Sequence, residues 1–480
     1  MQAAIQGNTV AKEQFRIIES REYGASFACL EMMKQLGLPQ AIYSRTHEEW
    51  VRASMAMIAG RVVFAGSKLA LSYCAEHSAL WDLCGFDGKI HVNTCYAAMD
   101  KLYARQKPIQ RYLAKKHLQN GIVILYDITS CYMEGEYEDS DLVDFGYNRD
   151  KKRGHEQIVI TLLCTKEGCP VAVDVLRGNT KDETTVLDKV EELRKIYGLE
   201  SIIFVGDRGM VTQANFKQLD HERVKVISAL THAQLKSLCD KGIIELNQFD
   251  ENRIVEVIDG GLRYCLCKNP KVAKDEASTR QALLKKTIDA FDKIIASTKK
   301  CKYNKSVRIG NVLEKYKIGK YFLLTGDGDD IKYAINETKI NQEASFDGCY
   351  IIYTDVHVDD MTAIEAVENY KSLQNVEQAF RAMTTVHLEM RPIFHKTDDR
   401  IRCHVFICML AYYILWHMKQ RLRSLMDADG KGANRKFTFA YCMNSLKSVR
   451  KETVDFSGTH ASVITVKTAE QSKIMKELRV

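Results

Sequence analysis

Asp127, Asp207 and Glu377 are the residues of this chain whose type and setting could do chemistry together. Asp127 follows the apolar run Ile122-Val-Ile-Leu-Tyr126, and Asp207 follows Ser201-Ile-Ile-Phe-Val205 and one glycine. Glu377 rides beside a helical stripe of Leu373, Val376, Phe380 and Met383. Carboxylate oxygens are hard ligands that hold Mg²⁺ while leaving positions for phosphate oxygens and water. Three of them at one edge of a sheet can bind two such ions. Placed about 3.5–4 Å apart, the ions stabilise both the attacking and the leaving oxygen of an in-line displacement. Each residue alone has a plainer reading. An Asp at a strand end caps a loop, and Glu377 with Arg381 four residues on makes a helix-surface ion pair. Only a fold that brings the three together gives them a shared task.

The intervening pattern supplies such a fold. Strands are expected at 122–126, 156–164 and 171–176, the last two joined as a hairpin by the turn Lys166-Glu-Gly-Cys-Pro170. A capped helix to about residue 197 follows, then a strand at 201–205, a short helix near 213–219 and a strand at 224–228. That order is the order of an α/β, ribonuclease H-like core with a mixed five-stranded sheet, the first strand central and the fourth beside it. Asp127 and Asp207 are then neighbours. A long helix, expected to run unbroken to about residue 383, packs on the sheet and carries Glu377 toward them. The core thus covers 119–230 and 347–397. Residues 231–346 interrupt it as an inserted, basic α+β domain, since a loop of that length is otherwise rare in such a core. Residues 1–118 and 398–480 read as helical flanking regions.

The motifs Tyr126-Asp127-Ile-Thr, Gly178-Asn-Thr-Lys-Asp182, Gly206-Asp207-Arg-Gly-Met210 and Tyr370-(six residues)-Glu377-Gln-Ala-Phe-Arg381 occur in one order. Gly146-Tyr147, Gln157 and Arg391-Pro-Ile-Phe-His395 accompany them. Over about residues 120–415 the chain resembles a bacterial DDE transposase of the insertion-sequence-4 type. The resemblance implies that Asp127, Asp207 and Glu377 are the catalytic residues and bind two Mg²⁺, with Mn²⁺ able to substitute. It implies nicking of transposon ends by activated water, followed by strand transfer into target DNA from the freed 3′-hydroxyl. The implied partners are transposon-end DNA, target DNA and a second copy of the chain in a synaptic dimer. Relatives carry Tyr-x2-Arg-x3-Glu-x6-Lys around the Glu, used to grip a hairpinned end. Here Tyr370 and Glu377 are kept, but Leu373 stands where Arg is expected and Thr384 where Lys is expected. Arg381 is the nearest substitute for a phosphate contact.

Charge distribution agrees with a polyanionic partner. Residues 271–320 carry fourteen Lys/Arg against five Asp/Glu, a net of +9 (14 − 5) within a chain of net +7. Residues 101–120 add six basic residues and no acid. DNA is held through its phosphates by such surfaces. Candidate DNA contacts are Tyr370, Arg381, the loop residues Lys151, Lys152 and Arg153, and Lys299, Lys300 and Lys302 of the insertion; a solvated lysine-rich face is the bland alternative. Fifteen scattered cysteines with no CxxC pair exclude a zinc ribbon and fit reduced thiols in a cytoplasmic protein, associated with the nucleoid when bound to DNA. The start lacks a signal-peptide pattern, and the apolar run from Val405 to Trp416 is too short to span a bilayer, so no membrane role is expected. Two rival functions fit the same residues. One is a catalytically inactive DNA-binding transposase derivative, and the other is a nuclease on the same fold that only hydrolyses.

Overall fold

The branched and aromatic residues that lead to Asp127 fit a pleated, half-buried surface, and they form a strand. A computed structural model describes residues 15–147, 154–195, 197–208, 210, 219, 224–298, 303–428, 436–456 and 458–480. The chain divides into two compact units, Met1–Val224 with Lys371–Val480, and Lys225–Tyr370.

The first unit begins with β1 (Phe15–Glu22), α1 (Gly24–Gln35), α2 (Glu49–Val63), α3 (Lys68–Tyr73), α4 (Val92–Tyr103) and α5 (Gln106–His117). Next come β2 (Val123–Tyr132), β3 (Gln157–Thr165), β4 (Pro170–Arg177), α6 (Asp182–Lys195) and β5 (Ile202–Gly206). The second unit holds β6 (Val224–Ala229), α7 (His232–Asp240), β7 (Val255–Asp259), β8 (Leu262–Lys268), α8 (Pro270–Ala296) and α9 (Lys305–Tyr316). It continues through β9 (Phe322–Thr325), β10 (Lys332–Ile335), α10 (Glu337–Ala344), β11 (Cys349–Thr354) and α11 (Ala363–Lys371). The chain returns to the first unit with α12 (Leu373–Arg381), α13 (Asp398–Ala428), α14 (Phe439–Lys447), β12 (Arg450–Phe456), β13 (Thr459–Ile464) and α15 (Ala469–Leu478).

In the first unit the strands lie in the order β4-β3-β2-β5. β4, β3 and β2 are antiparallel neighbours, while β5 runs parallel to β2. This makes a mixed sheet. The strand expected at 224–228 forms as β6, which pairs antiparallel with β11 in the second unit. The edge strand β4 is capped by α5: Gln106 Nε2 donates to the Val173 carbonyl at 2.8 Å, and Val173 N–H donates to Gln110 Oε1 at 2.9 Å. Edge groups satisfied by buried side chains offer no template for another strand. α13 packs against α2, α4 and β4. The apolar run near 405–416 is part of this 31-residue helix. By length and composition α13 is long enough to cross a membrane, yet 83% of its most apolar window is buried inside the protein.

The flanking regions are not purely helical. β1 pairs antiparallel with β12, and β12 with β13, so the two ends of the chain share a three-stranded sheet. β1 and β13 are largely exposed and carry no apolar alternation, which removes the signal that periodicity relies on. The second unit is built on an antiparallel order β6-β11-β8-β7 and a β9–β10 hairpin. Its helical layer closes over Phe291, Ile309, Tyr321 and Phe322, with the Phe291 ring 5.1 Å from that of Phe322. α8 starts at Pro270 because Asn269 accepts from Lys271 N and Val272 N and the proline occupies the first turn. The helix expected near 213–219 falls almost wholly outside the described residues.

Candidate active site

β2 does not stop at Asp127 but runs through it to Tyr132. Its register with β5 pairs Tyr126 with Gly206, so the next step on each parallel strand is Asp127 and Asp207. Asp127 is half-buried and Asp207 exposed. Each carboxylate is oriented from its own backbone: Ile128 N–H donates to Asp127 Oδ1 at 2.8 Å, and Arg208 N–H donates to Asp207 Oδ1 at 2.6 Å. Alternation along the strands puts Asp127 with Leu162 and Val173 on one face, and Ile128 with Thr161 and Asp174 on the other. That second face is covered by α6, whose buried Lys189 bonds Asp174 and Glu192. Tyr126 shares this face, and burial raises its phenol to about 12, so it stays neutral.

Glu377 comes from α12, which packs against β2 and β3. The expected stripe exists: Leu373, Val376, Phe380 and Met383 are all buried. Glu377 and Arg381 are exposed, and no ion pair joins them. The single long helix is interrupted. α11 ends at Lys371 and α12 begins at Leu373, with Ser372 between them outside either helix. Asn375 explains the restart. Its N–H bonds to Ser372 O at 2.8 Å, a tight three-residue turn, while its side chain donates to Lys166 O in the β3–β4 turn at 2.8 Å. Gly168 in that turn has φ +86, and a Cβ there would lie 3.0 Å from Asn375 Cβ. The Glu-bearing helix is thus seated on the hairpin by one hydrogen bond and one close approach. α12 then passes into a π turn, Ala382–Val386.

The two departures from the family signature have physical content. Leu373 is buried in the stripe, so this position faces the core. Thr384 lies in the π turn and donates to Phe380 O at 2.8 Å. Neither position presents a basic group. Tyr370 is half-buried on α11, in the second unit. Lys151, Lys152 and Arg153, and Lys299, Lys300 and Lys302, lie outside the described residues. Of the basic residues in 271–320, Arg280 pairs with Asp347 and Lys320 with Glu343, whereas Lys271, Lys274, Lys285, Lys286 and Lys293 are exposed. Gly146, Gln157 and Gly178 prove to be a packing knot. Gln157 Nε2 donates to Gly178 O at 2.7 Å, and a Cβ on Gly146 would lie 2.1 Å from the same oxygen.

The donor chemistry fits a hard divalent cation, since all three candidates offer carboxylate oxygens. Asp127, Asp207 and Glu377 do not form a tight single-ion cluster. Among the described residues, three such groups with ligand atoms within 4.8 Å of one another occur at His117, Cys169 and His417. Ligands of two ions about 3.5–4 Å apart need not all lie that close. The His117 and His417 rings are kept neutral, pushed down to about 4 and about 3, chiefly by burial. Nitrogen and sulfur donors suit softer metals than Mg²⁺.

Residues 119–414 match the family described as Transposase DDE domain. No curated protein matches the chain. A cryo-EM structure of a piggyBac transposase synaptic complex with hairpin DNA aligns over 88% of this chain and 79% of that chain, at 10% identity and a TM-score of 0.40.

Proposed function

The chain belongs to the transposase DDE-domain family, and from that premise we propose that it cuts DNA at the ends of a mobile element and joins those ends to a target. Asp127, Asp207 and Glu377 hold the divalent cations for this reaction, Mg²⁺ or Mn²⁺. The observation that carries the reading is the parallel pairing of β2 with β5, which makes Asp127 and Asp207 consecutive with a paired position on adjacent strands. The packing of the Glu377 helix on β2 and β3 supports it further. Bound cations supply Lewis-acid stabilisation of the phosphodiester's attacking and leaving oxygens. The backbone N–H groups of Ile128 and Arg208 hold the two Asp side chains in orientation before any cation arrives. Asn375 seats the Glu377 helix on the hairpin.

The basic exposed faces of α5 and α8 grip the DNA backbone in this reading, together with Tyr370, Arg381, Lys151, Lys152, Arg153, Lys299, Lys300 and Lys302. The chain is of the insertion-sequence-4 type and acts as a dimer, since two ends must be paired. A second reading has one specific observation in its favour. Leu373 faces the core and Thr384 donates to the Phe380 carbonyl of its own helix, so neither supplies the basic grip on a hairpinned end, and in this reading cleavage proceeds without a hairpin intermediate. A supercoiled plasmid carrying the element's ends, incubated with Mg²⁺ or with EDTA, tests the proposal. Cleavage and joining that need Mg²⁺ and vanish in Asp127→Ala are expected. DNA binding with no cleavage, equal in both proteins, would leave only an inactive DNA-binding derivative.

A further inference from the structure

A second constellation lies in the first unit, away from the carboxylates. Arg61 on α2 and Lys68 at the start of α3 are each only 5% exposed. Among the described residues neither has a carboxylate partner. Arg61 Nη1 donates to the carbonyls of Ala65, Leu388 and Glu389 at 3.1, 3.2 and 3.4 Å. Lys68 Nζ lies 3.1 Å from His404 Nδ1. His404 Nε2 lies 3.0 Å from Met390 O, which makes Nε2 the protonated nitrogen and Nδ1 the acceptor for Lys68. The imidazole is therefore neutral and adds no negative charge. Buried cations are ordinarily paired, and leaving them unpaired is costly.

Both residues line a cavity of about 430 Å³ whose lining also includes Arg391, His395 and His404. The His395 ring stands 5.3 Å from that of His404. Among the described residues of the lining, the one that bears a carboxylate is Glu389, which is exposed. Phe394, also in the lining, is 70% exposed. The cavity far exceeds the needs of a bare inorganic ion and falls in the range of pockets that hold organic ligands. Burial, then Arg61, lower the Lys68 ammonium to about 8, so an incoming anion would restore its full charge.

We infer that this cavity is an oxyanion site that takes a phosphate group carried on a larger molecule, held by Lys68, Arg61 and His395 with Phe394 at its mouth. The phosphate belongs either to a DNA backbone or to a free phosphate compound. The site stands on its own charges and not on the reading of the carboxylates, so Asp127→Ala leaves it intact.

The full-length protein is compared with Lys68→Met, which keeps the volume and removes the charge, and with Lys68→Arg, which keeps the charge. One arm measures binding of a fluorescein-labelled duplex across a range of NaCl concentrations. The other measures the rise in Tm with inorganic phosphate against chloride at equal ionic strength. If DNA fills the site, Lys68→Met binds about tenfold more weakly or worse, its log K against log[salt] slope falls by about 1, and Lys68→Arg retains both. If a free phosphate compound fills it, DNA binding is unchanged, but phosphate raises the Tm of the wild type and of Lys68→Arg and not that of Lys68→Met. A lysine with only a structural role gives a lower Tm in Lys68→Met while both binding readouts stay at wild-type values, and that result overturns the inference.

Discussion

Removing the Asn375 side chain should slow DNA cleavage without touching any carboxylate. Asn375 Nδ2 donates to Lys166 O at 2.8 Å, two residues before Glu377 in the same helix. Losing one such bond in a partly buried setting costs about 1 kcal/mol. Asn375→Ala should therefore lower the urea midpoint modestly while leaving the chain folded at ambient temperature. The larger effect is geometric. A displacement of the helix on the order of 1 Å moves the Glu377 carboxylate off its position and costs up to about 10²-fold in rate. Gly168→Ala probes the other half of the contact. An L-residue in that left-handed turn is strained by about 1–2 kcal/mol, and its Cβ would press on Asn375 from 3.0 Å. Both variants are assayed by the initial rate of Mg²⁺-dependent plasmid nicking, corrected for the folded fraction from denaturation under the same conditions. A corrected rate equal to wild type in both, alongside the expected loss of stability, would refute the claim that this contact positions Glu377.

Two further outcomes follow from the second unit. Arg263, with its side chain buried, pairs with Glu256 and donates to Val356 O and Met361 O, each at 2.8 Å; Arg263→Met strands these acceptors and should cost about 3–5 kcal/mol by urea unfolding. The Glu343 carboxyl is raised by burial, but hydrogen bonds from Lys236 and Lys320 outweigh this and hold it at about 2, below its ordinary 4.5. A depressed acid contributes stability above its unfolded pKa and loses it as pH falls through the folded one. Acid titration of unfolding should thus show a limb of lost stability between pH 4.5 and about 2, and Glu343→Gln should flatten it.

The part of the fold nearest the carboxylates was legible because its strands announce themselves. Val123–Tyr126 and Ile202–Val205 are short, β-branched and aromatic apolar runs followed by Asp or Gly-Asp, and that length, composition and punctuation favour strands over helices. The break at Ser372 was not legible. Apolar spacing from Val367 through Leu373 to Val376 continues across it, and the interruption depends on Asn375 reaching a carbonyl more than two hundred residues away. The sheet of β1, β12 and β13 was hidden for the opposite reason, since its outer strands β1 and β13 are exposed and carry no burial pattern. Lys68 and Arg61 were passed over because charged residues are almost never fully buried, and only the fold reveals that these two are. The soft-donor trio of His117, Cys169 and His417 has no short spacing to mark it, its members coming from α5, the β3–β4 turn and α13.

Iron-directed cleavage tests the central proposal most directly. Fe²⁺ bound in place of Mg²⁺, with ascorbate and peroxide, generates hydroxyl radicals that cut the polypeptide beside the bound ion. The expected result is fragments ending near residues 127, 207 and 377, suppressed by excess Mg²⁺ and absent in Asp127→Ala. Fragments confined to the neighbourhood of His117, Cys169 and His417, or cleavage indifferent to Mg²⁺, would contradict the assignment of the three carboxylates as the cation-holding centre.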